Sequence, residues 1–308
     1  MNEQATQTPS RENPRFGRKV FFLDPPLTLN NAIIEPLRGD EYEIYVIQDY
    51  KLVKSILMEN QDAMIFINID HSLTFKQWFN FIFSFKDHPV LSTIYVGIVS
   101  ERATSSDQSL FLENLPLPCG FQILGSISNA VLLENFRKIF ELNGAKGNRK
   151  YIRLDCQNSK VVSACFIQEN KLYEVIIKNI SSVGFACTFD EKSAKYFKEN
   201  AVFNNISFTF GRNTIVCPSV VFRIMENTAV FLFTSAMPLA YKEAIRRFVQ
   251  SVLIKTFELK LKNYTMDFTR YKDEIDMGAV AMARDARNSQ ISFDGDSEFG
   301  NLENVDEI

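Results

Sequence analysis

Histidine is almost missing from this chain: His71 and His88 are the two in 308 residues. Neither has neighbours of ligand type at a metal-binding spacing, so loop or surface positions are expected for both and no metal site is indicated. The five cysteines, Cys119, Cys156, Cys165, Cys187 and Cys217, are odd in number and form no C-x-x-C pair. That speaks against a zinc ribbon or a disulfide framework and predicts reduced thiols, mostly small core residues, in a cytoplasmic protein. No run of 18 apolar residues occurs, so no membrane span is expected. No apolar core follows a basic start, so no signal peptide is expected either. Base is not in excess: 34 Lys and Arg stand against 37 Asp and Glu, a formal net charge of −3. No global field then draws the chain to nucleic acid or to an anionic membrane, and any anion site must be local. There is no Walker-type loop and no legible nucleophile–base–acid set, so the sequence reads as non-enzymatic.

What is present suits one large or two ordinary folded units, with 46 % hydrophobic and 23 % charged residues. The N-terminal stretch 1–17 is polar and reads as disordered. The extension 263–308 reads as a largely disordered tail, its last twenty residues, "SQISFDGDSEFGNLENVDEI", holding six acids and no bases. Between these ends the pattern changes once, near "NGAKGN" (143–148), whose two glycines permit a hinge. The expected division is an α/β unit over 18–143, a linker over 144–148 and a β unit over 149–262.

In the first unit, short apolar runs alternate with helical patterns. "KVFFLD" (19–24), "YEIYVI" (42–47), "AMIFINID" (63–70), "TIYVGIV" (93–99) and "GFQIL" (120–124) read as buried strands. The best helix is 128–142, with Leu132, Leu133, Phe136, Ile139 and Phe140 on one face and Ser128 as its N-cap. Such alternation implies a parallel, flavodoxin-like sheet covered by helices on both faces. In length and element order this unit resembles a response-regulator receiver domain. By that resemblance Asp24, Asp70 and Ser100 fall at the ends of the first, third and fourth strands. The lysine expected after the fifth strand and a second acid beside Asp24 are both absent, Pro25 and Pro26 following instead. The charge balance for Mg²⁺ and phosphoryl transfer is missing. The unit therefore reads as a degenerate receiver whose acids cap turns. The segment "TFKQWFNFIFSF" (74–85) is apolar over more than one face. It suits a deeply buried core helix or, equally, a contact with a second protomer or with the C-terminal unit.

From residue 149 strand-like segments follow closely, separated by "QEN", "GRN" and "MEN". The pattern predicts an antiparallel barrel or sandwich. A helix then opens at Pro238, with Ala244, Ile245, Phe248, Val252 and Phe257 at helical spacing. Two short motifs stand out. "GNRKYIRLDC" (147–156) carries Arg149 and Arg153 where the linker enters the first strand. "KNISSVGF" (178–185) carries Asn179, Ser181 and Gly184 in a polar turn between strands. Alone, either is an ordinary surface pair or an ordinary turn.

Together, an R-x-x-x-R pair followed by [D/N]-x-S-x-x-G in a small antiparallel β-barrel closed by a helix resembles the PilZ domain, over roughly residues 145–262. That family binds cyclic di-GMP. The resemblance implies a ligand shell of Arg149, Arg153, Asn179, Ser181 and Gly184. The two arginines would embrace guanine and phosphate groups, Asn179 and Ser181 would hydrogen-bond the ligand, and Gly184 would let backbone approach closely. The chemistry is apt: guanidinium is a permanent cation with a planar fork of donors for phosphate or for guanine O6 and N7, and it stacks on purines. Lys150 is a further phosphate contact to consider. The implied function is a cytoplasmic, non-enzymatic cyclic di-GMP receptor with no other cofactor. It would change interdomain arrangement on binding and signal to a protein partner; a homodimer is to be tested. The alternative is an interaction scaffold whose PilZ-like barrel binds no nucleotide.

Overall fold

The computed structural model describes residues 17–157, 161–210 and 213–264. The segments expected to be disordered, 1–16 and 265–308, lie outside the described residues, as do Gly211 and Arg212 of the "GRN" turn.

The continuous apolar runs of the first unit become β1 (Val20–Leu23), β2 (Ile44–Ile47), β3 (Met64–Asn68), β4 (Tyr95–Ser100) and β5 (Phe121–Ile123). They pair in parallel in the order β2-β1-β3-β4-β5. A parallel sheet is covered on both faces, and β1 shows why its strands cannot alternate polar with apolar. Val20 and Phe22 enter a core with Ile33, Leu132, Phe136 and Phe140, whereas Phe21 and Leu23 enter the opposite one with Ile56, Trp78 and Phe111. The first face is covered by a continuous helical stretch and by α6 (Asn129–Leu142). That stretch is α1 (Leu27–Leu29), a π-helical turn (Asn30–Ile34) and α2 (Glu35–Gly39). The second face is covered by α3 (Val53–Glu59), α4 (Phe75–Phe83) and α5 (Ser105–Asn114). Ser128 caps α6 by accepting from the Val131 amide at 3.4 Å.

Helix α4 is a core element. A reciprocal Thr74–Gln77 capping box starts it. Trp78, Phe79, Phe81 and Ile82 are buried, and the Trp78 indole donates to the His71 carbonyl at 2.9 Å. Phe83 is the large ring it leaves outward.

Of the two strand-end acids, Asp70 ties a loop with its carboxylate, whereas Asp24 contributes its backbone carbonyl. Asp70 accepts the Ser100 hydroxyl at 2.5 Å and the Glu101 amide at 2.7 Å, while Ser100 Oγ accepts the amides of Arg102 and Ala103. Asp24 takes a left-handed φ of 45°, and its carbonyl accepts the Asn68 amide at 2.7 Å.

The second unit is a closed barrel. Strands β7 (Val162–Gln168), β8 (Lys171–Ser181), β9 (Gly184–Thr188), β10 (Val202–Phe210), β11 (Asn213–Met225) and β12 (Thr228–Phe233) pair antiparallel in the ring β8-β7-β10-β11-β12-β9, and β9 returns to β8. Closure removes the unpaired edges that an open sheet would expose. The short β6 (Leu154–Asp155) adds to β8 from outside the ring. Alternate residues point inward, and Phe166, Phe185, Phe208 and Phe231 fill the interior. Burial pushes the thiols of Cys187 and Cys217, and of Cys119 in the first unit, up to about 12, so these are inert core residues.

Helix α7 (Leu239–Leu261) follows Pro238, which stands at its N-cap. Its first half packs on the barrel through Ile245, Val249, Ala244, Phe248 and Val252. Its second half leaves the barrel: Leu253, Phe257, Leu261 and Tyr264 pack on the α/β core. The Phe257 ring lies 4.6 Å from Tyr45 and 5.6 Å from Phe21, between ring centroids. Periodicity marks Phe257 as an inward position of this helix without saying which core it joins; in the fold it joins the α/β unit. The segment expected to act as a hinge is also held. Gly144 and Gly147 adopt positive φ, but Ala145 is buried and its carbonyl accepts the Arg18 amide at 2.9 Å.

Candidate functional site

Arg153 precedes β6, Asn179 and Ser181 end β8, and Gly184 starts β9. The β6–β8 pairing sets Asp155 opposite Asn179 and so brings the two motifs side by side, although more than twenty residues separate them. Arg153, Asn179, Ser181 and Gly184 line one open concavity of about 470 Å³, with Lys178, Phe185, Glu226, Thr228 and Val230. Its volume lies within the usual range for small-molecule sites.

The register of β8 against β9 shifts between Ile177 and Asn179, a β-bulge at Lys178. On a regular strand successive side chains take opposite faces; a bulge lets Lys178 and Asn179 line the same concavity. Lys178 Nζ donates to Thr228 Oγ1 at 2.9 Å. The cation that accompanies Arg153 here is thus Lys178, which the motif reading passed over although it is adjacent to Asn179. Lys150, weighed as a phosphate contact from the sequence, lines a different cavity.

Two motif residues have structural work of their own. The Ser181 hydroxyl is buried and donates to the Gly184 carbonyl at 3.1 Å, bridging the turn. Gly184 does not use a positive φ. Instead, a Cβ there would overlap the Phe231 carbonyl oxygen and lie 3.2 Å from the Leu232 Cα. The glycine is demanded by the close approach of β12 to β9. Among the described residues, no side-chain hydrogen bond engages the Arg153 guanidinium or the Asn179 amide, and both groups border the open concavity.

Arg149 is not a lining residue of that concavity. It borders a second cavity of about 660 Å³ with Asp40, Glu41, Tyr42, Glu141, Lys146 and Lys150, at the junction of the two units. Glu41, a lining residue of this second cavity without any local sequence signal, reaches toward both motifs. Its carboxylate accepts the Ser182 hydroxyl at 2.6 Å and the Ile152 amide at 3.3 Å. Ile152 lies between the two arginines and Ser182 lies within the turn motif. Burial raises the Glu41 carboxyl above its ordinary value, against the lowering by those two bonds and by Arg246 and Lys146. Nearby, Arg246 Nη1 donates to the Arg38 carbonyl at 3.2 Å, and Gln250 donates to the same oxygen.

Among the described residues no group of three or more His, Cys, Asp or Glu could hold a metal ion, and no helix is long and apolar enough to cross a membrane. No family model and no curated protein matches the chain. Among solved structures, YcgR from Escherichia coli in complex with c-di-GMP is 16 % identical over 39 % of this chain and 52 % of its own, with a TM-score of 0.33. The K. pneumonia MrkH–c-di-GMP complex is 15 % identical over 37 % of this chain and 54 % of its own, with a TM-score of 0.29. The Legionella uncharacterized protein Lpg0364 is 16 % identical over 35 % of this chain and 99 % of its own, with a TM-score of 0.27. The chain spans about half the length of the YcgR and MrkH chains it matches.

Proposed function

We propose that the barrel is a receptor for cyclic di-GMP, and that this non-enzymatic chain works in the cytoplasm by passing the binding event to a protein partner. One observation carries the reading: Arg153 and Asn179, from separate motifs, face one open concavity with their polar heads unspent on the described protein. A dianionic bis-guanine ring offers what those groups lack. Its phosphodiesters and guanine O6 and N7 atoms accept from guanidinium and ammonium, and its purine faces stack under Arg153. Lys178 adds a second fixed cation at the concavity, and Asn179 supplies both a donor and an acceptor. Arg149 would join from the neighbouring cavity as the ligand settles, changing how the loop at 39–43 meets the barrel.

Calorimetry with cyclic di-GMP tests this, with cyclic di-AMP and GTP as controls. The expected dissociation constant is about micromolar, or roughly −8 kcal/mol. Arg153→Ala removes a charge-assisted hydrogen bond of about 1.5–3 kcal/mol and should weaken binding at least tenfold with unchanged circular dichroism. Equal affinity in wild type and Arg153→Ala would overturn the assignment. A second reading, an interaction scaffold that binds no nucleotide, draws on the structural duties of Ser181 and Gly184. It predicts no heat with any of the three nucleotides.

A further inference from the structure

The environment of Glu41 is that of a bound anion. Its carboxylate receives a hydroxyl from Ser182 and a backbone amide from Ile152. Arg246 and Lys146 add positive potential, and Arg149 and Lys150 line the same cavity. A hydroxyl and an amide on one carboxylate, with cations lining the surrounding cavity, make an oxyanion-binding set. The carboxylate reaches this point from the other unit, on a residue with φ 68°, a left-handed conformation disfavoured for any side chain with a Cβ. Burial also opposes its charge. Burial outweighs the donors and cations, so the position offers an anion its hydrogen bonds while holding this carboxylate under strain. Glu41 lines the cavity of Arg149, and its two donors, Ile152 and Ser182, are the chain neighbours of Arg153 and Ser181, which line the concavity.

We propose that Glu41 is an internal anion seated in a phosphate position of the ligand site, and that a phosphate-bearing ligand must displace it to engage Arg149 and Arg153 together. This deepens the cyclic di-GMP reading and rests on it for the identity of the ligand, though not for the anion site itself. The α/β unit then contributes the plug of the barrel's site, and expelling that plug is the event the rest of the molecule can sense. Acids facing the same cavity, Asp40 and Glu141, are separate from the donor set: neither accepts from Ser182 or Ile152.

The test uses the full chain and Glu41→Gln, which keeps the side-chain volume and removes the charge. Cyclic di-GMP should bind Glu41→Gln at least tenfold more tightly than wild type. Inorganic phosphate should raise the melting temperature of Glu41→Gln more than that of wild type, whatever the nucleotide does. Glu41→Ala, which removes the plug and leaves the donor set intact, should tighten nucleotide binding in the same direction and serves if Glu41→Gln does not fold. Were Glu41 only a structural tie, both variants would bind more weakly or unchanged, and phosphate would stabilise both proteins equally; either result overturns the plug. If phosphate singles out Glu41→Gln while neither protein binds cyclic di-GMP, the plug stands and the nucleotide assignment falls.

Discussion

Replacing Gly184 by alanine separates two accounts of this residue by the sign of one free-energy change. If the glycine exists only to admit a ligand, alanine should fit the empty barrel, because the backbone there is not left-handed. It would then stabilise the fold by about 0.4–1 kcal/mol through the unfolded state. The barrel geometry demands the opposite. The added methyl overlaps the Phe231 carbonyl oxygen, a backbone atom that cannot rotate away, and the Leu232 Cα at 3.2 Å blocks retreat along the strand. Strand β12 must move off β9 where Leu232 pairs with Gly184 and Phe231 with Phe185. Overpacking of that kind costs about 1–3 kcal/mol. The Phe185–Phe231 stack, with centroids 4.6 Å apart and rings 5° from parallel, would also be disturbed. Such pairs contribute about 0.5–1.5 kcal/mol beyond burial. Set against the entropic gain, the net loss is about 0.5–4 kcal/mol, centred on about 2 kcal/mol. Urea unfolding followed by far-UV circular dichroism reads it directly. Asn179→Ala is the comparison: it faces the same concavity without a described partner and should stay within about 0.5 kcal/mol of wild type. A Gly184→Ala protein as stable as wild type, or more so, refutes the close-approach argument.

Phe257→Ala should cost about 2–3 kcal/mol, at or below the lower end for a buried phenylalanine because the ring is only partly covered. It should also separate the unfolding of the α/β unit, read by fluorescence of its single tryptophan Trp78, from the circular-dichroism transition of the whole chain. Asp70→Ala removes two bonds to a charged acceptor and should destabilise the α/β unit by about 2–4 kcal/mol, while calorimetry shows cyclic di-GMP affinity unchanged. Hydrogen bonding from Arg246 lowers the Glu243 carboxyl to about 2. Its contribution is therefore present above the unfolded value near 4.5 and fades as pH falls toward about 2. Glu243→Gln should flatten that part of a melting-temperature profile. Glu41 acts with the opposite sign: its raised value means that stability present at low pH is lost as pH rises through its titration.

The α/β unit was legible because parallel strands covered on both faces must be short, continuous and apolar, and because Ser128 announces its helix with a side-chain cap. The closing helix was legible in extent but not in allegiance. Spacing marks Phe257 as buried, yet nothing in a periodicity says which of two cores a residue joins. Within the site, the side-by-side motifs follow from pairing β6 with β8, two strands that are not consecutive in the chain. The bulge that turns Lys178 onto the same surface depends on a register slip between Ile177 and Asn179 that no residue type signals. Gly184 was noticed for close approach to a ligand; the approach the fold displays is that of the strand carrying Phe231. Glu41 could not be found at all, since its significance arises from two bonds to residues more than a hundred positions away.

That distance matters for how binding could be transmitted. Separating the two units as rigid bodies would expose Leu253, Phe257 and Leu261, each giving up part of the roughly 1.5–3 kcal/mol that full burial of such a side chain provides. It would also strip the Arg38 carbonyl of Arg246 and Gln250. Several kcal/mol would go to that motion before any signal, out of about 8 kcal/mol for a micromolar ligand. Freeing Glu41 breaks two hydrogen bonds and relieves a buried charge, and an incoming phosphate restores both bonds in kind. A ligand shifts an equilibrium only by its differential affinity for the two states. The cheaper response is therefore local: the loop at 39–43 releases while the α7 seam holds. Saturation with ligand should change hydrogen exchange at 38–43 and 149–155 and leave the radius of gyration nearly constant. A large change in scattering would instead place the moving surface at Phe257.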